Sequence, residues 1–98
     1  MLSTTFGVKM RAVVSVIGKD AVGILAKVST KCAEFNANVV EVTQSVLQDV
    51  FAMTMLIDIS DLNKDLANLS DSLAEMGDKM GLKILTMHED IFKCMHEI

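Results

Sequence analysis

An α+β sandwich in the order β-α-β-β-α-β is the fold class this sequence predicts, and three observations predict it. Four short stretches are rich in β-branched residues or alternate apolar with polar, which is the strand signature. Two longer stretches repeat their apolar residues at intervals of three and four, which is the helix signature. Turn-forming residues fall where one period gives way to the next, and all six elements fit within 98 residues, 51% of them apolar, the size of one small domain.

Met10 to Ile17, MRAVVSVI, is a β-branched run ended by Gly18 and reads as the first strand. GKDAVG follows as a turn holding Gly18, Asp20 and Gly23. From Ile24 the period lengthens: Leu25, Val28, Cys32 and Phe35 are spaced 3, 4 and 3, the stripe of a first helix. Asn36 should end that helix, because asparagine tolerates the left-handed conformation of a helix C-terminus. Val39 to Leu47 sets Val40, Val42, Gln44 and Val46 against Glu41, Thr43 and Ser45, a half-exposed second strand, and Gln48-Asp49 supplies a tight turn.

Phe51, Met53, Met55, Ile57 and Ile59 hold one face of a third strand. Ser60 and Asp61 are candidate caps for the second helix. Along it Leu62, Leu66, Leu69, Leu73, Met76 and Met80 repeat at 4, 3, 4, 3 and 4. Gly77 inside this pattern costs about 1 kcal/mol relative to alanine, and Gly81 stands where a C-terminal capping glycine belongs. Leu82 to His88 is the fourth strand. Glu89 to Ile98 is a short terminal helix with acids in its first turn and Ile91, Met95 and Ile98 on one side.

Because each βαβ crossover is right-handed, the compact arrangement is a four-stranded antiparallel sheet in the order 4-1-3-2, with both long helices on one face. That is a ferredoxin-like sandwich carrying a short C-terminal helix. Val13, Ile17, Ala52, Leu56, Leu85 and Met87 then share the opposite face with Ser15, Thr43, Thr54 and Lys83. A half-apolar face of this kind calls for a cover, either the C-terminal helix, a second subunit, or both. The second strand lies at an edge, where its Thr, Gln and Ser can pair with their twins across a two-fold axis, so a homodimer is expected.

Thirteen acidic against nine basic residues leave a formal charge of −4, a poor match for nucleic acid or an anionic membrane. No apolar run approaches the roughly 18 positions of a membrane span, and the first nine residues lack the regions of a signal peptide. We expect residues 1–9 to be an N-terminal extension to a domain over 10–98. Cys32 and Cys94 belong to no paired spacing, which points to reduced thiols and a cytoplasmic setting.

Fold alone assigns no activity, so the loops must discriminate. An RNA-binding version needs aromatic platforms on the first and third strands, and the first has none while the third has only Phe51. A metal-carrying version needs two soft thiolates in the first loop, and GKDAVG has no cysteine. A phosphatase version needs an arginine there, but Arg11 begins the first strand at its other end. Gly18 and Gly23 match the two glycines of a P-loop, yet Ile24 and Leu25 occupy its lysine and hydroxyl positions.

Cys32 lies on the helical stripe and reads as a small core residue. His88, Glu89, Cys94 and His96 form the one cluster with metal-ligand chemistry, but Cys94 and His96 fall on different sides of a helix, and a solvated tail is the plainer reading. Met53, Met55, Met76 and Met80 fall on core periods. No catalytic constellation, metal site or cofactor motif is expected, and neither is an enzyme.

What remains is the junction Asp20-Ala21-Val22-Gly23-Ile24-Leu25. Gly23 lets the backbone come close to a neighbour, the helix that starts there offers free N–H groups to a carboxylate, and Asp20 can accept hydrogen bonds from an ammonium group. Together these would match the two charged ends of an amino acid. The spacing fits a purely structural reading equally: Asp20 caps the helix and Gly23 relieves crowding against the sheet.

With its βαββαβ order, the D-x-x-G-I-L run at Asp20 to Leu25 and Asn38 opening the second strand, the span 10–98 resembles an ACT domain, the small regulatory domain of many amino-acid-metabolism proteins. More narrowly, VIGKDAVGILAKVSTKCAEFNANVVEVTQ and the ending HEDIF at His88 to Phe92 resemble free-standing single ACT proteins of bacteria and archaea, the UPF0237-type group, related to the regulator of the glycine cleavage system. The resemblance implies amino-acid-responsive regulation of a separate metabolic enzyme or transcriptional regulator, with the ligand at a dimer interface. Under it, Asp20 matches the polar loop position that contacts ligand, Gly23 the glycine beside the ligand, and Asn38 the polar residue reaching in from the partner. An Asp rather than the Asn of serine-binding members stands at 20, and it would repel a carboxylate that faced it. A ligand-free interaction or assembly module is the other function such a domain serves.

Overall fold

Four strands and two long helices form where the apolar periods place them, in a computed structural model that describes residues 10–19 and 23–96. Expectations that rest on residues 1–9, on Asp20, Ala21 and Val22, on the side chains of Met95 and His96 and on Ile98 lie outside the described residues. The elements are β1 (Arg11–Gly18), α1 (Ile24–Glu34), β2 (Asn38–Leu47), β3 (Val50–Asp58), α2 (Leu66–Met80), β4 (Lys83–His88) and α3 (Glu89–His96). The sheet runs β2-β3-β1-β4 with every neighbouring pair antiparallel, which is the predicted order taken from its other edge. No helix among the described residues is long and apolar enough to cross a membrane.

Strand alternation supplies one side of the core. Ala12, Val14 and Val16 of β1 and Met53, Met55 and Ile57 of β3 are buried with Ile24, Val28 and Cys32 of α1 and Leu69 and Leu73 of α2. In the α1 stripe Val28, Cys32 and Phe35 pack as expected and only Leu25 departs. Ile24 is 1% exposed whereas Leu25 is 37% exposed, because Ile24, Val28 and Cys32 at successive spacings of four continue one helix face and Leu25 is rotated off it. Burial pushes the Cys32 thiol up to about 11, which keeps it protonated and inert, as its core position implies.

Both long helices end as their terminal residues suggest. Asn36 and Gly81 take positive φ. Ala37 N–H donates to the Cys32 carbonyl at 2.8 Å, and Leu82 N–H to the Gly77 carbonyl at 2.8 Å, closing each last turn on itself. The start of α2 departs from expectation: Asp65, not Ser60 or Asp61, stands at its N-cap. The segment before it is committed elsewhere. Ser60 N–H donates to Asp58 Oδ1 and Ser60 Oγ accepts from Met10 N–H, while Asn63 donates through its backbone N–H to the Phe35 carbonyl and through Nδ2 to the Glu34 carbonyl. Leu62 still packs on the core, but from this connection rather than from the helix.

Gly77 is where the helix pattern and the packing disagree in sign. A Cβ at this position would lie 2.8 Å from Ile84 Cγ1 and 3.0 Å from the Leu82 carbonyl oxygen. The glycine therefore sets how closely α2 approaches β4. Gly77→Ala gains about 1 kcal/mol of helix propensity and loses about 1–3 kcal/mol to overpacking against a backbone that cannot move aside. We expect a net loss of about 1 kcal/mol, a fall of roughly 4–8 °C in Tm by calorimetry. A rise would mean that α2 can shift off the sheet.

The opposite sheet face is composed as expected. The register sets Val13 beside Leu56 and Met87, Ser15 beside Thr54 and Leu85, and Ile17 beside Ala52 and Lys83. The terminal helix α3 folds back over the Arg11 end of this face, and Val13 is only 4% exposed. Ile17 and Leu85 at the other end are each 47% exposed.

Candidate functional site

At the β1–α1 junction the described residues resume at Gly23. This residue is the N-cap of α1 with φ 72°, and no side-chain hydrogen bond from the described residues caps the helix there. A left-handed φ at the cap selects glycine, since a side chain there is strained. Among the described residues, those of the sheet included, nothing lies within 4 Å of where its Cβ would be. The capping role considered for Asp20 lies outside the described residues. The first turn of α1 carries no acidic residue, and its leading N–H groups carry the partial positive charge of a helix N-terminus. Of the residues singled out by sequence, Ile24 is core, Leu25 is exposed beside the junction, and Asp20, Ala21 and Val22 are outside the described residues.

Asn38 is exposed at the start of β2, at the far end of the sheet. It pairs with Asp58, which pairs with Arg11, whereas Gly18 pairs with Phe51, which pairs with Val46. Seven residue steps along β1 separate those two ends, roughly 24 Å at about 3.4 Å per residue. One chain therefore does not bring Asn38 to the Gly23 junction.

The β2 edge between these ends is bare. Among the described residues the strand pairs on one side only, nine of its ten residues having partners in β3, with a register irregularity at Val40 between Val39 and Glu41. Val40, Val46 and Leu47 are 52%, 69% and 76% exposed. With Val39 these residues put four exposed large apolar side chains on this one strand.

A second feature escaped the sequence reading. Between the open sheet face and α3 lies a cleft of about 240 Å³, with Val13, Leu56 and Phe92 among its walls. The helix is tied there by Glu89, whose two carboxylate oxygens accept from Arg11 Nε at 3.0 Å and Arg11 Nη2 at 2.8 Å. Lys93 Nζ lies 3.6 Å from the same carboxylate. The hydrogen bonds from Arg11 hold the Glu89 carboxyl below its ordinary value of 4.5 against the opposing effect of desolvation, and attraction to Arg11 and Lys93 adds to them.

A carboxylate so lowered contributes stability above its ordinary range and loses it as pH falls through the depressed value. Acidification should therefore loosen α3, and Glu89→Gln should flatten that part of the stability profile in urea titrations across acidic pH. An unchanged profile would remove the pair from the account. The alternation of Glu41 and Thr43 against the core, together with the acids opening α3, were the available sequence signals for this cleft.

Of the tail cluster considered for metal, the His96 side chain lies outside the described residues. His88 Nδ1 accepts the Asp90 N–H at 3.1 Å, Glu89 is engaged by Arg11, and no group of three or more His, Cys, Asp or Glu among the described residues could hold a metal ion.

Comparison with known proteins converges on one family. The sequence profile described as ACT domain matches residues 10–86. A UPF0237 protein of Methanocaldococcus jannaschii is 47% identical over 88 residues, which span 90% of this chain and 98% of that one. Among solved structures, an ACT domain protein from Streptococcus pneumoniae superposes with a TM-score of 0.74 at 35% identity, covering 85% of this chain and 93% of that chain. A putative glycine cleavage system transcriptional repressor shares the fold with a TM-score of 0.70 at 20% identity, over 83% of this chain and 46% of its own. The strand order, the glycine-opened first helix and these matches together place the chain in the ACT domain family, with its UPF0237 members.

Proposed function

We propose that this protein is a cytoplasmic, amino-acid-sensing regulator that works as a homodimer and has no catalytic role. The observation that carries the reading is the separation of the Gly23 junction from Asn38 along a bare, apolar edge strand. Antiparallel pairing of β2 with its twin covers that edge, and it also brings Asn38 of one copy to the end of the sheet where the other copy keeps its Gly23 junction. The α-carboxylate of the ligand then meets the free N–H groups of α1, and its ammonium meets Asp20 and Asn38, with Ala21, Val22, Ile24 and Leu25 shaping the pocket. Ligand occupancy alters the pairing of the two copies, and a metabolic enzyme or transcriptional regulator reads that change.

Thermal shift against the common amino acids and related metabolites tests the reading. A ligand at 100 times its Kd adds about 2.7 kcal/mol, and at roughly 4–8 °C per kcal/mol for a domain of this size the rise in Tm is plain. A selective hit supports sensing and names the pathway. Silence across the panel sinks it in favour of a ligand-free interaction module, the reading that the exposed β2 edge alone would support.

A further inference from the structure

We propose that the cleft between the open sheet face and α3 is a separate small-molecule site, one that takes a primary amine with a compact apolar body. Its size sets the first limit. About 240 Å³ is the room of about eight waters and lies below the range of about 300–1,000 Å³ typical of drug-sized ligands. Its walls set the second. Val13 and Leu56 are register partners on adjacent strands, and Phe92 closes over them from α3. Beside them, Thr43 and Thr54 form another register pair and line the cleft. A small apolar body is enclosed from two sides with hydroxyls at its flank.

Charge decides the class. Glu89 is occupied: both its oxygens accept from Arg11, with Lys93 at 3.6 Å. Glu41 also lines the cleft, is exposed, and has no hydrogen bond or ion pair among the described residues. Among the charged groups lining the cleft, Glu41 is thus the one without a partner among the described residues, and an ammonium group satisfies it where a second carboxylate would meet it with repulsion. The Arg11–Glu89 pair ties the first turn of α3 to the first residue of β1, so the roof is already held before a ligand enters. None of the lining residues belongs to the β1–α1 junction, and the inference stands apart from the sensing proposal.

The test is a titration of the full chain, isotope-labelled for backbone amide NMR, with benzylamine, benzyl alcohol and benzoate. Benzylamine should give saturable shifts at the amides of Val13, Thr43, Leu56 and Phe92, with the alcohol and the acid weaker. Glu41→Gln should weaken benzylamine roughly ten- to a hundredfold, the loss of one charge-assisted hydrogen bond. Thr54→Leu, which fills the cleft, should abolish the shifts while circular dichroism stays native. Equal binding of all three probes, indifference to Glu41→Gln, shifts confined to Gly23 and Ile24, or no saturable shift at millimolar benzylamine would each overturn the proposal. Failure here leaves amino-acid binding at the junction untouched, because the two sites report on different amides.

Discussion

Leu73→Ala should cost the protein about 2–5 kcal/mol. Leu73 has no exposed surface and sits mid-way along α2, one turn after buried Leu69 and one turn before the tight contact at Gly77. Small-to-smaller repacking has little room to recover the loss, because Gly77 already presses α2 on Ile84 and the Leu82 carbonyl. Small domains have about 5–15 kcal/mol in total, so this one truncation removes a large share of it, and Tm should fall by about 8 °C or more. Leu85→Ala, on the open face and 47% exposed, is the matched control and should cost under about 1 kcal/mol. Equal losses for the two leucines in chemical denaturation would contradict the placement of the core between the helices and the sheet.

Residues such as Leu73 explain why the fold was legible from sequence. An apolar period of 3.6 or 2 is a direct consequence of burying one face of a helix or strand, and here nearly every buried side chain sits on such a period. The two departures arise where other forces outrank the period. Leu25 looks apolar on a helical spacing, yet Ile24 one residue earlier takes the inward position, since a stripe with several admissible phases does not fix its own rotation. Ser60 and Asp61 have the chemistry of helix caps, but Asp58, Met10 and the end of α1 claim the hydrogen bonds of that segment first. Long-range partners of this kind leave no mark on local sequence.

The candidate site was less legible for the same reason. Gly23 was singled out for close approach or for relief of crowding, and its positive φ is a further reason for glycine that depends on a backbone angle no residue spacing encodes. The cleft under α3 joins Val13, Leu56 and Phe92, which lie 36 or more positions apart in the chain. Alternation put Val13 and Leu56 on one face, and only the tertiary return of α3 adds Phe92.

Mixing two variants that each fail to bind should restore binding, if the site spans two copies as proposed. In Gly23→Val a β-branched residue is forced to positive φ at the head of α1, a conformation such residues avoid. In Asn38→Ala the polar group at the start of β2 is removed. Neither position is part of the buried core, so both variants should still dimerise, and both should lose the Tm response to whichever amino acid the screen identifies. In the mixed dimer, one site combines both lesions, and the other combines an intact Gly23 junction with an intact Asn38. Random reassortment makes half of the dimers mixed, so about a quarter of the wild-type sites should return, one per mixed dimer. Calorimetric titration of the refolded mixture reads that stoichiometry directly. A mixture as silent as its components would place the two residues in sites contained within one chain, or Asn38 in no site at all. A response in unmixed Asn38→Ala would remove Asn38 from the site and leave the Gly23 junction to act alone.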